Sequence, residues 1–132
     1  MYIYIICPVR HATEVWQQAT LTYASELEKQ GHNVYLPFRD ANQKDNTGKK
    51  ICEAHAMAVF NCDEIHIAYD GESEGWLFDL GMAFVLNKTI KIIEHLFPTK
   101  TKGKSYPNMV YQWQKEQAEK KWRGVHDIYN VV

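Results

Sequence analysis

The chain has 132 residues, of which 45% are hydrophobic and 23% are charged, a balance typical of one globular domain with its own core over residues 1–132. The net charge of −1 disfavours a nucleic acid partner held by a basic field, and no apolar run reaches the roughly 18 residues of a membrane span. The three cysteines lack a disulfide framework spacing and fit reduced thiols, which indicates a cytoplasmic protein.

Apolar residues recur with alternating strand and helix periods along the chain. These periods predict strands over 2–6, 32–38, 63–69 and 89–93, helices over 12–29, 51–60, 76–86 and 108–123, and a short edge strand over 128–132. Thr13 is a suitable cap for the first helix, and Gln30-Gly31 provides its stop. This alternation predicts an α/β fold, a flavodoxin-like doubly wound parallel sheet in a three-layer α/β/α sandwich.

The segment over residues 63–93 forms the central strand–helix–strand unit of this prediction. Its turn carries Asp70, Glu72, Ser73 and Glu74, and Asp79 lies one helical turn further on. Ligands of open parallel sheets bind beyond the carboxyl ends of the strands, where this turn must lie. We therefore expect a functional site here; the alternative is an acidic, solvated loop.

Asp79 is the candidate nucleophile or general base. Its side chain should lean back toward the turn, where Gly75 leaves room for a ligand. In a half-apolar pocket lined by Trp76 and Phe78, such a carboxylate could attack a sugar C1′. The alternative is an acid favoured by the helix dipole. Gly81, in mid-helix, indicates close packing on a strand or on a neighbour.

The first strand is followed by Arg10, which should lie near a helix N-terminus. Backbone N–H groups there favour anions, so Arg10 could hold a phosphate, although a plain surface arginine fits equally well. A glycine-rich dinucleotide fingerprint, a P-loop and a serine nucleophile elbow are absent.

Four residues, Cys52, His55, Cys62 and His66, have a spacing that superficially suits zinc. Because Cys62 precedes a strand and His66 points to one face of a buried sheet, buried thiols and core histidines are the better interpretation. The sequence therefore predicts neither a metal site nor a cofactor.

Three segments resemble the nucleoside 2-deoxyribosyltransferase superfamily, including its nucleotide N-glycosidase branch. They are Ile5-Ile6-Cys7-Pro8-Val9-Arg10, the stretch from Glu53-Ala-His55 to Cys62-Asp63, and Ser73-Glu-Gly-Trp-Leu-Phe-Asp79-Leu-Gly-Met-Ala83 followed by Asn87-Lys88. The resemblance covers roughly residues 2 to 95. It implies cleavage of a nucleoside or nucleotide N-glycosidic bond, with the sugar passed to another base or to water.

The resemblance also assigns roles to individual residues. Asp79 falls on the family's catalytic glutamate and His55 on an aspartate that protonates or holds the base, so both positions carry substitutions. The expected substrate-binding residues are Cys7, Arg10, Tyr69, Ser73, Gly75 and Trp76, with Arg10 on the 5′-phosphate position. The family is usually oligomeric, with a neighbour's C-terminal region completing the pocket, which suits the narrow apolar stripe of the last helix.

Two other functions are compatible with the same residues. A non-catalytic nucleotide sensor would use Arg10, Ser73 and Trp76 without turnover, and a plain interaction module would bind no small ligand. Loss of turnover on mutation of Asp79 distinguishes the enzyme from the sensor.

Overall fold

The computed structural model describes residues 1–121, 124 and 125 and contains a four-stranded, all-parallel sheet. The strands are β1 (Tyr2–Ile6), β2 (Asn33–Tyr35), β3 (Glu64–Ile67) and β4 (Thr89–Ile92), in the spatial order β2-β1-β3-β4. Tyr4 aligns with Tyr35 on one side and with Ile65 on the other. The predicted α/β fold with a parallel sheet flanked by helices is confirmed.

The helices connect these strands and cover the two faces of the sheet. They are α1 (Glu14–Lys29), the short α2 (Pro37–Asp40), α3 (Lys49–Asn61), α4 (Glu74–Val85), a 3₁₀ turn (Glu94–Leu96) and α5 (Tyr106–Ala118). Alternate residues of β1 face opposite layers: Ile3 and Ile5 pack with α1, whereas Tyr4 and Ile6 pack with α3, α4 and α5. The arrangement is consistent with a flavodoxin-like three-layer sandwich.

Several predicted boundaries need correction. The second strand ends at Tyr35, three residues before the predicted end, because Pro37 lacks an N–H and instead occupies the first turn of α2. The last helix covers Tyr106–Ala118 rather than 108–123. Thr13 caps α1 as predicted, accepting a hydrogen bond from the Trp16 N–H at 3.3 Å. The edge strand predicted for 128–132 lies outside the described residues.

The chain reverses its winding direction between β1 and β3. From β1 it passes through α1 to β2 on one side, whereas from β3 it passes through α4 to β4 on the other. Crevices at such a switch point, beyond the carboxyl ends of the strands, are the usual ligand sites of open α/β sheets. Among the described residues, no helix combines the length and the apolar character needed to cross a membrane.

Candidate functional site

Asp79 lies in the interior of the protein, on the sheet-facing side of α4, with a side chain that is only 5% exposed. The Tyr4 hydroxyl donates a hydrogen bond of 2.8 Å to Asp79 Oδ2. The other carboxylate oxygen, Oδ1, lies 3.4 Å from His55 Nδ1 but accepts no hydrogen bond. One oxygen is thus held in place while the other is free.

Three separate elements bring this cluster together. Tyr4 is in the middle of β1 and faces the layer of α3 and α4. His55 is on α3, which packs against α4, so the imidazole and the carboxylate meet between the two helices. Asp79 and His55, the two residues expected to be catalytic, therefore lie close to each other in the fold.

A second tyrosine extends the cluster. The rings of Tyr4 and Tyr35 stack with centroids 5.2 Å apart and planes 12° from parallel. His55 meets both rings edge-on, with centroid distances of 6.2 Å in each case. The stacked rings and the imidazole form an aromatic wall beside the Asp79 carboxylate.

Buried polar atoms without partners are concentrated around this wall. Within the described residues, such atoms are Tyr35 Oη, His55 Nε2, Trp76 Nε1, Asp79 Oδ1, Asn87 Oδ1 and Trp113 Nε1. Three of the six belong to Tyr35, His55 and Asp79, which are mutually close. Because a buried polar group without a partner costs about 1–3 kcal/mol, a concentration of them is expected where a ligand supplies the missing hydrogen bonds.

Burial keeps both tyrosines of the cluster protonated. It raises the pKa of Tyr4 well above its usual value, with a further contribution from the neighbouring Asp79 charge. Burial, followed by the charges of Tyr2, Asp40 and Asp79, raises the pKa of Tyr35 to about 12. Both phenols therefore remain neutral hydrogen-bond donors at physiological pH.

The turn before α4 provides a more exposed rim. Asp70 Oδ1 accepts hydrogen bonds from the Glu72 and Ser73 N–H groups at 2.9 and 3.0 Å, so this carboxylate is occupied in shaping the turn. Ser73 occupies the N-cap position of α4, but its hydroxyl makes no capping hydrogen bond. A Cβ built on Gly75 would have open space around it. Ser73 and Gly75 thus leave the start of α4 accessible.

The first turn after β1 separates its predicted site residues. Arg10 is exposed, and the next residue, His11, has a left-handed backbone with φ of 62°. Cys7 is buried in the cluster that packs on α1, on the other side of the sheet from Tyr4. Burial raises the pKa of the Cys7 thiol far above its usual value, so Cys7 is not a thiolate nucleophile.

Trp76 is packed into the core rather than lining an open pocket. It is 1% exposed, and the half-buried Tyr69 stacks on it with a centroid distance of 3.9 Å. Phe78 is 50% exposed and does not contribute to a half-apolar pocket around Asp79, contrary to the prediction, because it lies about 100° around α4 from Asp79, on the exposed part of the helix. The apolar surroundings of the carboxylate come from Tyr4 and Tyr35 instead.

Tyr4 and Tyr35 were not predicted as members of the site. The available signal for Tyr4 was its position between isoleucines in a central strand, since a buried tyrosine hydroxyl normally requires a hydrogen-bond partner. Sequence alone does not name that partner, which for Tyr4 lies 75 positions away.

The cysteines and histidines that superficially suggested zinc do not form a metal centre in the part of the chain that the structure describes. No group of three metal-binding side chains converges there. Cys62 instead donates its S–H to the Val59 carbonyl, and His66 bonds to Glu64 and Tyr23.

No protein-family model matches the chain, and no curated protein matches it in sequence.

Proposed function

We propose that the protein cleaves, or transfers the sugar at, the N-glycosidic bond of a nucleoside or nucleoside 5′-monophosphate. The observation that carries the proposal is the Asp79 carboxylate, with one oxygen bound by Tyr4 and the other free beside His55. It occupies the interior next to the β1/β3 switch point, where ligands of this architecture bind.

The chemistry follows from the two carboxylate oxygens. Asp79 Oδ1 attacks C1′ of the sugar; the C1′–O bond forms as the C1′–N bond breaks, and the electron pair leaves with the base. The base takes a proton from His55, which acts as the general acid. Water or a second base then attacks C1′ and gives its proton to His55, while the C1′–O bond to Asp79 breaks and the carboxylate is released. Throughout, Tyr4 holds Oδ2 and fixes the direction of Oδ1.

Burial of the carboxylate favours one alternative, a nucleotide-binding protein without turnover. The side chains of Asp79 and His55 are 5% and 11% exposed, so a sugar reaches Oδ1 only after neighbouring groups move. The catalytic proposal therefore requires opening on the timescale of turnover, whereas a sensor could bind at the rim, at Arg10 and Ser73.

The test is release or exchange of the base from a panel of nucleosides and 5′-monophosphates, with and without a second free base. Asp79→Asn keeps an acceptor for Tyr4 but removes the nucleophile, and we expect it to lower turnover to below about one-thousandth. The matched control is Asp70→Asn, the same change in the rim. Its side-chain oxygen still accepts hydrogen bonds from the backbone N–H groups of the turn, so this variant should retain activity. Nucleotide binding without turnover in the unmodified protein would support the sensor instead.

Substitution of Arg10 tests whether the protein prefers nucleoside 5′-monophosphates to nucleosides. If Arg10 binds a 5′-phosphate, Arg10→Gln raises KM for monophosphates about tenfold and leaves KM for nucleosides unchanged. An equal effect on both substrate classes would place Arg10 outside the phosphate site.

We also propose that the protein is a homo-oligomer that assembles through α3 and α4. Met57, Phe60, Phe78 and Val85 are 50–64% exposed on these two adjacent helices. Gly81 lies between Phe78 and Val85 on α4, and a Cβ there would meet nothing within 4 Å, so no strand packs on it as one of the sequence interpretations required. A glycine with open space amid apolar side chains leaves room for a helix of a second copy.

A further inference from the structure

Charge is unevenly distributed along the chain. Residues 100–121 carry six lysines and two glutamates, a local net charge of +4, whereas residues 1–99 carry eight basic and thirteen acidic residues, a net charge of −5. The overall value of −1 is the sum of these two regions, because the remaining residues carry one positive and one negative charge. The overall net charge therefore does not exclude a polyanionic partner for residues 100–121.

Three of these lysines line a groove of about 500 Å³ that runs along one side of α5. Lys100, Lys115 and Lys121 line it, together with Thr101 and other polar residues, namely Gly103, Asn108, Gln112, Glu116 and Glu119. The helical members recur at positions 108, 112, 115, 116 and 119, which share one face of α5. The groove is thus a polar trough with cationic side chains along its length.

Asn108 fixes the loop that forms the other wall of the groove. Its Oδ1 accepts a hydrogen bond from the Thr101 N–H at 3.0 Å, and its Nδ2 donates to the Gly103 carbonyl at 2.9 Å and to Thr101 Oγ1 at 3.1 Å. Ser105 caps the helix immediately afterwards. Because the loop backbone is held before any partner binds, less conformational entropy is lost on binding.

The helix dipole explains the positions of only half of the six lysines in residues 100–121. Cations near a helix C-terminus interact favourably with the helix dipole, which accounts for Lys115 and the lysines that follow α5. Lys100, Lys102 and Lys104 precede the N-terminus of α5, where the dipole disfavours cations, and they form no ion pair with any described residue. An external anion is the natural partner for these three lysines.

One of the two carboxylates that line the groove is compensated by an ion pair, and the other accepts a hydrogen bond from a neutral amide. Glu119 forms an ion pair with Lys121 at 2.9 Å, and Glu116 accepts a hydrogen bond from Gln112 at 3.2 Å. They reduce the positive field but do not cancel it, since three further lysines remain unpaired at the loop.

An exposed aromatic residue follows the lysine loop in the chain, outside the lining of the groove. Tyr106, the first residue of α5, is 58% exposed. Proteins that bind single strands combine a cationic groove for the backbone with aromatic rings on which bases stack. An anionic membrane fits less well, because none of the large exposed aliphatic and phenylalanine side chains of the described residues lies within residues 100–121. We propose that this groove binds the phosphate backbone of single-stranded nucleic acid, with a base stacked on Tyr106.

The test is fluorescence anisotropy of labelled 12-nucleotide oligo(dT) and oligo(rU) between 50 and 200 mM salt. Contacts to three or four phosphates give a slope of log K against log salt of about −2 to −3. Lys100→Glu/Lys115→Glu, which changes two lysines that line the groove, should lower the affinity at 50 mM salt at least tenfold and reduce the slope by about 1.4. Its matched control, Lys44→Glu/Lys50→Glu, makes the same change in net charge at exposed positions outside the groove and should stay within about threefold.

Stacking is tested separately. Tyr106→Ala should weaken binding about tenfold with the salt slope unchanged, and Tyr106→Trp should restore it. No binding at 50 mM salt, an equal loss in the control pair, or binding to anionic phospholipid vesicles without binding to either oligonucleotide would overturn the proposal. Asp79→Asn should bind both oligonucleotides normally, so this result is independent of the proposed glycosidic activity.

Discussion

The outer edge of β4 is covered by two glutamine side chains of α5, which act in place of a fifth strand. Gln117 Oε1 accepts a hydrogen bond from the Ile90 N–H at 3.0 Å, and Gln117 Nε2 donates to the Lys88 carbonyl at 2.7 Å. Gln114 Oε1 accepts one from the Ile92 N–H at 2.6 Å. Uncovered edge strands invite pairing with other chains, so these side chains should protect against aggregation as well as stabilise the fold.

The number of broken hydrogen bonds sets the cost of each substitution. Gln117→Ala removes two and leaves a backbone donor and acceptor without partners, so we expect a loss of about 2–3 kcal/mol in the free energy of unfolding. Gln114→Ala removes one and should cost about 1–2 kcal/mol. The control is Gln112→Ala in the same helix, which breaks only an exposed bond to Glu116 and should cost less than about 0.5 kcal/mol.

Urea unfolding followed by circular dichroism measures these differences, and gel filtration detects association through the exposed edge. A loss of 2–3 kcal/mol lowers the urea midpoint by about 1–2 M. Glutamate variants sharpen the test. Gln114→Glu keeps the acceptor for Ile92 and should cost less than Gln114→Ala, whereas Gln117→Glu places an anion against the Lys88 carbonyl and should cost at least as much as Gln117→Ala. The reasoning is refuted if Gln117→Ala costs no more than Gln112→Ala.

Three further predictions concern the candidate site, the buried His66 and the oligomer. Tyr4→Phe should destabilise the protein by about 1–3 kcal/mol because Asp79 loses a buried hydrogen-bond donor. Tyr35→Phe removes an unbonded hydroxyl, so it should be neutral or stabilising by up to about 1 kcal/mol and yet weaken substrate binding. Urea midpoints measure the effect on stability and KM the effect on binding, and equal destabilisation by the two variants would contradict the prediction. Burial lowers the pKa of His66 below its unfolded value near 6.5. The contribution of His66 to stability is therefore present above about pH 6.5 and is lost as the pH falls through the folded value. The difference between the urea midpoints at pH 7.5 and pH 5.5 should be smaller in His66→Phe than in the unmodified protein. Phe78→Glu should produce a monomer in sedimentation experiments, and an unchanged mass would exclude this face as the interface.

The sequence was sufficient for the order of the elements because their patterns depend on local periodicity. The apolar run of β1 and the capped, three-to-four-residue repeat of α1 both formed where predicted. The predicted boundary was wrong where a single residue ended a strand that the apolar pattern continued. Pro37 follows an apolar run that continues to Phe38, yet the missing N–H turns the chain into a helix two residues after β2.

The role of α5 was not predictable from its composition. Its glutamines indicated a solvated helix with a narrow apolar stripe, packed at the periphery or against a second subunit. In the structure Val110 and Trp113 are buried against the sheet, and Gln114 and Gln117 bind backbone groups of β4. A side chain that pairs with a strand edge looks the same in sequence as one that points to water, because the partner groups are backbone atoms distant in the chain.

The candidate site was predicted in part, for a similar reason. The spacing placed Asp79 one turn inside a helix at the carboxyl edge of the sheet, and the resemblance paired it with His55; both residues do meet. Tyr4 and Tyr35 were missed since a tyrosine in a strand is compatible with ordinary core packing. Trp76, expected beside a ligand, is covered by Tyr69, because stacking on a neighbouring ring buries it as effectively as a ligand would.

The energetics of Asp79 support the proposal that the residue serves chemistry rather than stability. A carboxylate that is nearly fully buried, with one hydrogen bond and one unbonded oxygen, costs free energy that an apolar side chain of similar size would not. Folding alone therefore favours leucine at this position, as at the adjacent Leu80. We expect the double variant Tyr4→Phe/Asp79→Leu, which removes both partners of the buried hydrogen bond, to unfold at a higher urea concentration than the unmodified protein while losing all base release. If this double variant is instead less stable, the hydrogen bond between Tyr4 and Asp79 is structural, and the unbonded oxygen no longer supports a catalytic role.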